Sequence, residues 1–137
     1  MIEKTIFTRC LRGILVTLTA STLGCFAGGT GEVSGVVTVN GESVAGLEVM
    51  FSSEDGTLGT AVGYTQADGS YVLRQGRSQQ GVRIGAYKVT IRPGEDTEAA
   101  TRKNLRLPAE VSSDEKTNLL EKVTSGSNQI DFDLTSP

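Results

Sequence analysis

The chain has 137 residues, with no Trp and no His, 17 Gly against 3 Pro, three Tyr, four Phe and a formal net charge of −3. That length holds one small domain around one core, and glycine at this density, which weakens helix interiors and serves tight turns, fits a β-rich fold better than a helical one. The lack of His excludes Ser-His-Asp and Cys-His catalysis, His-based zinc or iron sites and the usual general base near neutral pH.

At the N-terminus, Lys4, Arg9 and Arg12 precede an apolar-to-small run from Gly13 to Ala20 that ends at Leu23, Gly24 and Cys25. This is the layout of a secretory signal, so residues 1–24 are expected to be removed. The apolar run is about 12 residues, short of the ~20 that a helix needs to cross a ~30 Å hydrocarbon core. Ser21-Thr22-Leu23-Gly24-Cys25 resembles the lipobox of bacterial lipoproteins, in which the Cys is diacylated and becomes the mature N-terminus. That family favours Leu three places before the Cys and a small residue two places before it, where this chain has Thr22 and Leu23. The resemblance implies lipidation of Cys25 and attachment to a membrane, each buried CH₂ contributing about 0.8 kcal/mol. The alternatives are ordinary cleavage near Ala27 or Gly28, which would release a free secreted domain, and an uncleaved signal anchor.

Cys10 leaves with the leader, so Cys25 becomes the sole Cys and no intramolecular disulfide can form. Acylation gives that thiol a role in an oxidising compartment, where an exposed free Cys is a liability. Loss of the leader leaves ten basic and fifteen acidic side chains, a net charge of −5. Such a balance disfavours nucleic acid and anionic lipid surfaces as partners. Arg102, Lys103 and Arg106 are the densest basic group and read as a solvated loop.

Residues 25–32, with Gly28, Gly29 and Gly31, have no periodicity and read as a flexible tether to a domain over 33–137. From Val33 the period is two, with Gly35, Val37 and Val39 on one face, until Asn40-Gly41 signals a two-residue hairpin turn. A second strand covers 47–52, with Leu47, Val49 and Phe51 inward. Two short strands, 60–65 and 70–74, flank Ala67-Asp68-Gly69 and are expected to form a second hairpin. Gly85 to Arg92 alternates cleanly up to Pro93, with Tyr87, Val89 and Ile91 inward. Residues 93–116 form a polar stretch longer than compact domains normally tolerate, and such stretches are usually functional or disordered. Strands over 118–124 and 129–134 are expected to pair with each other through Gly126, Ser127 and Asn128, with Ile130, Phe132 and Leu134 inward. No segment from 33 to 134 sustains a helical period.

Six or seven strands at spacings near ten residues argue for a β-sandwich. Three motifs in chained order carry a resemblance: 35–41 with 44–49, then Thr65-Gln66-Ala67-Asp68-Gly69-Ser70-Tyr71, then Gly85-Ala86-Tyr87-Lys88-Val89-Thr90-Ile91. Over about residues 31–134 the chain resembles the transthyretin-like, carboxypeptidase regulatory-like domain, here in a small bacterial lipoprotein. Leu107-Pro108, Thr117 and Phe132-Asp133-Leu134 continue the likeness, while Ala109, Glu110 and Val111 stand where an aromatic often follows the Leu-Pro. The resemblance implies an all-β fold, a seven-stranded antiparallel β-sandwich of Greek-key topology. An enzyme branch of that fold, 5-hydroxyisourate hydrolase, depends on His residues that this chain lacks, so its activity is not implied; the fold alone assigns no function.

Asp131 and Asp133, at i and i+2, could share a calcium or a proton, or simply form a solvated strand face that discourages edge pairing. Asp68-Gly69 reads as turn chemistry before ligand chemistry. Tyr71 and Tyr87 could stack on a ring or sugar, but their inward phase favours the core. Glu95, Asp96 and Glu98 could attract a cation or basic partner or be a solvated loop. Ser52, Ser53 and Ser78 lack a His, which leaves only a Ser-Lys dyad with Lys88 or Lys116 as a nucleophilic arrangement. The expected function is a non-enzymatic module of the cell envelope, lipid-anchored through Cys25 and facing the periplasm or cell surface. It would need no cofactor and would contact an envelope protein or glycan through exposed loops and edge strands. A freely secreted protein- or carbohydrate-binding domain is the second expectation and a small hydrolase the third. Self-association through an open edge strand is a further expectation.

Overall fold

The alternation around Val33 starts earlier than the sequence pattern announces. The computed structural model describes residues 29–137 apart from 78 and 96. The leader, Cys10, Cys25 and the first part of the tether therefore lie outside the described residues, as do Ser78 and Asp96. Strand β1 runs Thr30–Val39 and takes in Thr30, Gly31 and Glu32. It closes into β2 (Glu42–Ser43) through a turn in which Asn40 and Gly41 have φ of 53° and 78°. Two consecutive positive φ values are what a type I′ hairpin demands, and Asn-Gly supplies them at least cost.

β1 is paired along both edges. One edge meets, in succession, β8 (Val82–Arg83), β5 (Ser70–Val72) and β2, all antiparallel. The other edge meets β11 (Gly126–Gln129) and β12 (Phe132–Leu134), both parallel. The expectation of antiparallel pairing throughout is thus corrected for this sheet. The second sheet is antiparallel from edge to edge. Its order is β10 (Leu120–Val123), β9 (Gly85–Pro93), β3 (Leu47–Ser53), β4 (Thr60–Tyr64), β6 (Arg74–Gln75) and β7 (Gln79–Gln80).

One expected hairpin forms only in part and another is replaced by a crossing between sheets. The turn after β4 forms, with the Gly69 N–H donating to the Gln66 carbonyl at 2.8 Å, but β5 then pairs with β1, and of the expected strand 70–74 only Arg74, in β6, pairs with β4, opposite Val62. The last strands also separate: β10 pairs with β9, whereas β11 and β12 lie on β1. Asn128 makes this second crossing. Its side-chain oxygen accepts from the Thr124 N–H at 3.0 Å, and its amide donates to the Thr124 carbonyl at 2.8 Å and the Glu32 carbonyl at 3.1 Å. Period-two alternation reports which side chains face inward, and leaves the choice of neighbouring strand to the turns.

The inward set agrees with the alternation. Val33, Val37, Leu47, Val49, Phe51, Tyr71, Tyr87, Val89 and Ile91 are all buried. Four aromatics join the sheets: Phe51 lies 6.0 Å from Tyr87 and 6.4 Å from Phe132, and Phe132 lies 6.3 Å from Tyr71. Each contributes on the order of 2–3 kcal/mol by burial, with an edge-to-face or offset contact adding up to about 1 kcal/mol.

The described part of the stretch 93–116 closes the core. It contains two single helical turns, α1 (Glu98–Thr101) and α2 (Ala109–Ser112), and it buries Ala99 and Val111 while Leu105 and Leu107 pack against the core. Thr97 Oγ1 donates to the Gly46 carbonyl at 2.8 Å, and Ser136 Oγ donates to the Arg106 carbonyl at 2.8 Å. Four apolar side chains among many polar ones, without a period, gave no sign of this wall in the sequence.

The middle of β1 holds an unusual joint. In a regular parallel ladder the Ile130 carbonyl would accept from the Val36 N–H, since the Ile130 N–H already donates to the Ser34 carbonyl at 2.9 Å. It accepts instead from the Tyr71 hydroxyl at 2.6 Å, and Asp131 Oδ1 takes its place on the Val36 N–H at 2.9 Å. The displaced carbonyl occupies the space where a Cβ of residue 35 would stand, so only glycine fits. Gly35→Ala is expected to lower stability by roughly 3 kcal/mol through this clash, and Tyr71→Phe by about 1–2 kcal/mol by leaving the Ile130 carbonyl unpaired. Urea unfolding at neutral pH measures both. A Gly35→Ala midpoint equal to wild type would disprove the close approach.

Candidate functional site

Of the acidic residues singled out in the sequence, Asp131, Asp133 and Asp68 are bound to the backbone or to neighbouring hydroxyls. Asp131 caps the Val36 N–H, as above, and Asp133 Oδ1 accepts from Thr38 Oγ1 at 2.9 Å. Both therefore fasten the last run of chain to β1, and they do so at successive points along it. No group of three or more Cys, Asp or Glu side chains is placed to hold a metal among the described residues. Asp68 Oδ1 accepts from the Ser70 N–H at 3.0 Å and the Ser70 hydroxyl at 2.6 Å, and these bonds lower its pKa. This is turn chemistry, with Asp supplying the acceptor that a backbone carbonyl would otherwise supply.

A stronger case of the same chemistry escaped the sequence reading. Asp55 Oδ1 accepts from Thr57 Oγ1 at 2.7 Å, the Thr57 N–H at 2.9 Å and Ser53 Oγ at 2.8 Å. The Thr57 hydroxyl and N–H, followed by Ser53, hold its carboxyl down at about 2. The Ser-x-Asp-x-Thr spacing over 53–57 was the available signal.

Tyr71 and Tyr87 are core residues with bonded hydroxyls, and neither presents a ring to solvent. Tyr87 donates to the Arg83 carbonyl at 2.7 Å. Burial raises the pKa of both, and for Tyr71 the nearby Asp131 and Glu121 raise it further. Ser52 lies directly across the β3–β9 register from Lys88, yet no hydrogen bond joins them among the described residues. Ser53 serves the Asp55 loop, where its Oγ also accepts from the Leu58 N–H at 3.2 Å. Lys116, Glu95 and Glu98 are exposed and stand apart from any serine hydroxyl bond. On the outer face of the second sheet Glu48 binds both cross-strand neighbours. It accepts from Arg92 Nε at 2.7 Å and from the Tyr64 hydroxyl at 2.9 Å, and the bond to Glu48 raises the Tyr64 pKa. Exposed rows of this kind add little stability and mainly fix register.

One of several open clefts, of about 410 Å³, lies at the end of the sandwich where β1 turns into β2. One lip is the loop between α1 and α2, which presents Arg102, Lys103 and Arg106. The other lip carries Glu42, and buried Val39 and Val44 with half-buried Leu105 form an apolar floor. The three basic residues are exposed, and among the described residues none of them makes an ion pair. Their closeness is plain in the sequence, whereas the cavity beside them exists only through the fold of the segment between α1 and α2. No protein-family model matches the chain, and no curated protein or solved structure shows significant similarity to it.

The carboxylates give two checks. A group whose folded pKa is depressed stabilises the fold above its ordinary value, 3.8 for Asp, and that contribution is lost as pH falls through the folded value of about 2. An NMR titration is expected to place the Asp55 midpoint near 2, and Asp55→Asn to flatten the stability loss between about pH 4 and pH 2. Asp131→Ala is expected to cost about 1–2 kcal/mol by orphaning the Val36 N–H, with Asp131→Asn retaining most of the stability. Millimolar calcium should leave Tm unchanged in every variant; a rise abolished by Asp131→Ala would restore a metal role.

Proposed function

We propose that the protein is a non-enzymatic, exported β-sandwich module of the cell envelope, lipid-anchored through Cys25, which works by binding a protein or glycan partner. The observation that carries this reading is the start of the fold. Gly29 already accepts a hydrogen bond from the Ile84 N–H at 3.0 Å, and Thr30 opens β1. Only three residues of chain, and at most about 14 Å from Cys25 to Gly29, would then separate an acylated Cys25 from the folded domain. Such an arrangement seats the sandwich at a membrane surface with one end toward it.

The likeness to the transthyretin-like, carboxypeptidase regulatory-like domain belongs to the same reading. Several of the short strands are pieces of longer runs: β5 with β6, β8 with β9, and β11 with β12. With the two-residue β2 and β7 set aside, these runs and β1, β3, β4 and β10 are compatible with the seven-stranded Greek-key sandwich that the likeness implies. The non-enzymatic part is supported by the use of Asp131, Asp133, Asp68, Asp55 and Ser53 as structural hydrogen-bonding groups.

Expression of the full chain beside Cys25→Ser, with intact mass and detergent-phase partitioning of each, tests the anchor. Wild type is expected to lose residues 1–24, gain acyl mass and enter the detergent phase, and the variant to do none of these. Two unacylated soluble proteins would instead make this a free exported domain.

A further inference from the structure

The open cleft sets three exposed cations that make no ion pair among the described residues beside an apolar floor. We propose that it binds an acidic peptide segment of a partner protein, with peptide carboxylates on the lip formed by Arg102, Lys103 and Arg106 and an apolar side chain on Val39, Val44 and Leu105. This deepens the binding role proposed above and rests on it.

Charge complementarity selects the ligand. After loss of the leader the protein is acidic overall, yet this lip gathers three cations within five residues of chain, facing a single Glu42. Guanidinium groups pair with carboxylates in a planar two-bond fork, and a site partly walled by protein screens that pairing less than open water does. Glu42 on the far lip repels a second carboxylate there and favours an amine, which gives the bound segment a direction. The floor decides between peptide and uronic-acid glycan. Asn40, Asn104 and Ser136 offer hydrogen-bonding groups to either ligand, but no aromatic residue lines the cleft to seat a sugar ring, and the apolar floor suits an aliphatic side chain better. Aliphatic side chains next to acidic ones match what is there.

Position agrees with this role. β1 enters at one end of the sandwich and reaches the cleft ten residues later, about 30 Å away at the rise of a strand. In an anchored protein the cleft would point away from the membrane and toward soluble partners. The loop is also held firmly, since the Arg106 carbonyl is bonded by Ser136 Oγ and the Ser136 N–H by Asn40 Oδ1 at 2.9 Å. Both lips are therefore tied to each other through the C-terminal residues.

The test uses the full chain in detergent and a fluorescein-labelled peptide of alternating Glu and Leu, followed by anisotropy at low and high salt. A sodium polygalacturonate chain is the competing probe. The triple variant Arg102→Ala, Lys103→Ala, Arg106→Ala is compared with Arg77→Ala, Lys116→Ala, Lys122→Ala, which removes the same charge elsewhere. All six residues are exposed, so both variants should fold, and circular dichroism melts check this. The expected result is saturable peptide binding that weakens roughly tenfold or more in the cleft variant, little change in the control, and tighter binding in Glu42→Gln. Equal loss in both triple variants, preference for polygalacturonate, or no saturable peptide binding would each overturn the proposal. The readout does not depend on acylation, so Cys25→Ser binding the peptide as wild type does would separate a failed anchor from a failed cleft.

Discussion

Everything in this fold is arranged around a first strand that has no free edge. β1 gives its N–H and C=O groups to β8, β5 and β2 on one side and to β11 and β12 on the other. Those five partners come from the beginning, middle and end of the chain, so the sheet cannot be assembled from local hairpins alone. At its midpoint the ladder is broken on purpose: the Ile130 carbonyl turns to Tyr71, Gly35 leaves room for it, and Asp131 fills the gap on Val36. One buried phenol hydroxyl thereby ties three strands of the first sheet together, and its ring stacks on Phe132, which meets Phe51 of the second sheet. Loss of any member would leave a buried polar group unpaired or a carbonyl without space.

Polar chemistry elsewhere follows the same economy. Carboxylates and hydroxyls that looked like candidate ligands when seen one at a time are acceptors and donors for turns and strand ends. Thr65 shows the pattern inside the core, where its hydroxyl donates to the Val44 carbonyl and accepts from the Leu47 N–H at 2.9 Å. Buried Gln75 does likewise, donating to the Leu58 carbonyl and accepting from the Arg83 N–H at 2.8 Å. A small sandwich with many chain crossings has many backbone groups left over at the corners, and short polar side chains satisfy them.

The sequence made the inward faces legible and the partners illegible. Leu47, Val49 and Phe51, or Tyr87, Val89 and Ile91, declare a buried face through period two, and Asn40-Gly41 declares its turn through backbone conformation. Neither kind of signal says that β5 leaves β4 for β1, or that the last two strands lie parallel to the first. Those outcomes depend on contacts about 95 residues apart in sequence, such as the Val36 N–H with Asp131, which no local window contains. The wall of residues 93–116 was hidden for a related reason: Ala99, Leu105, Leu107 and Val111 are spaced irregularly because they plug an opening between sheets and line no regular face. The basic lip of the cleft was visible as composition, but its concavity exists only because that wall folds over the β1–β2 turn.

The parallel seam between β1 and the last strands also sets an order of events. A chain made or exported from its N-terminus presents Thr30–Val39 first and the strand that seals it last. Until residue 134 arrives, one edge of the most apolar strand in the first sheet stands open, and non-local closure of this kind is slow. The final dozen residues thus act as a zip whose absence leaves an adhesive edge. Any process that delays or trims the C-terminus exposes that edge to other chains before the domain can shield it.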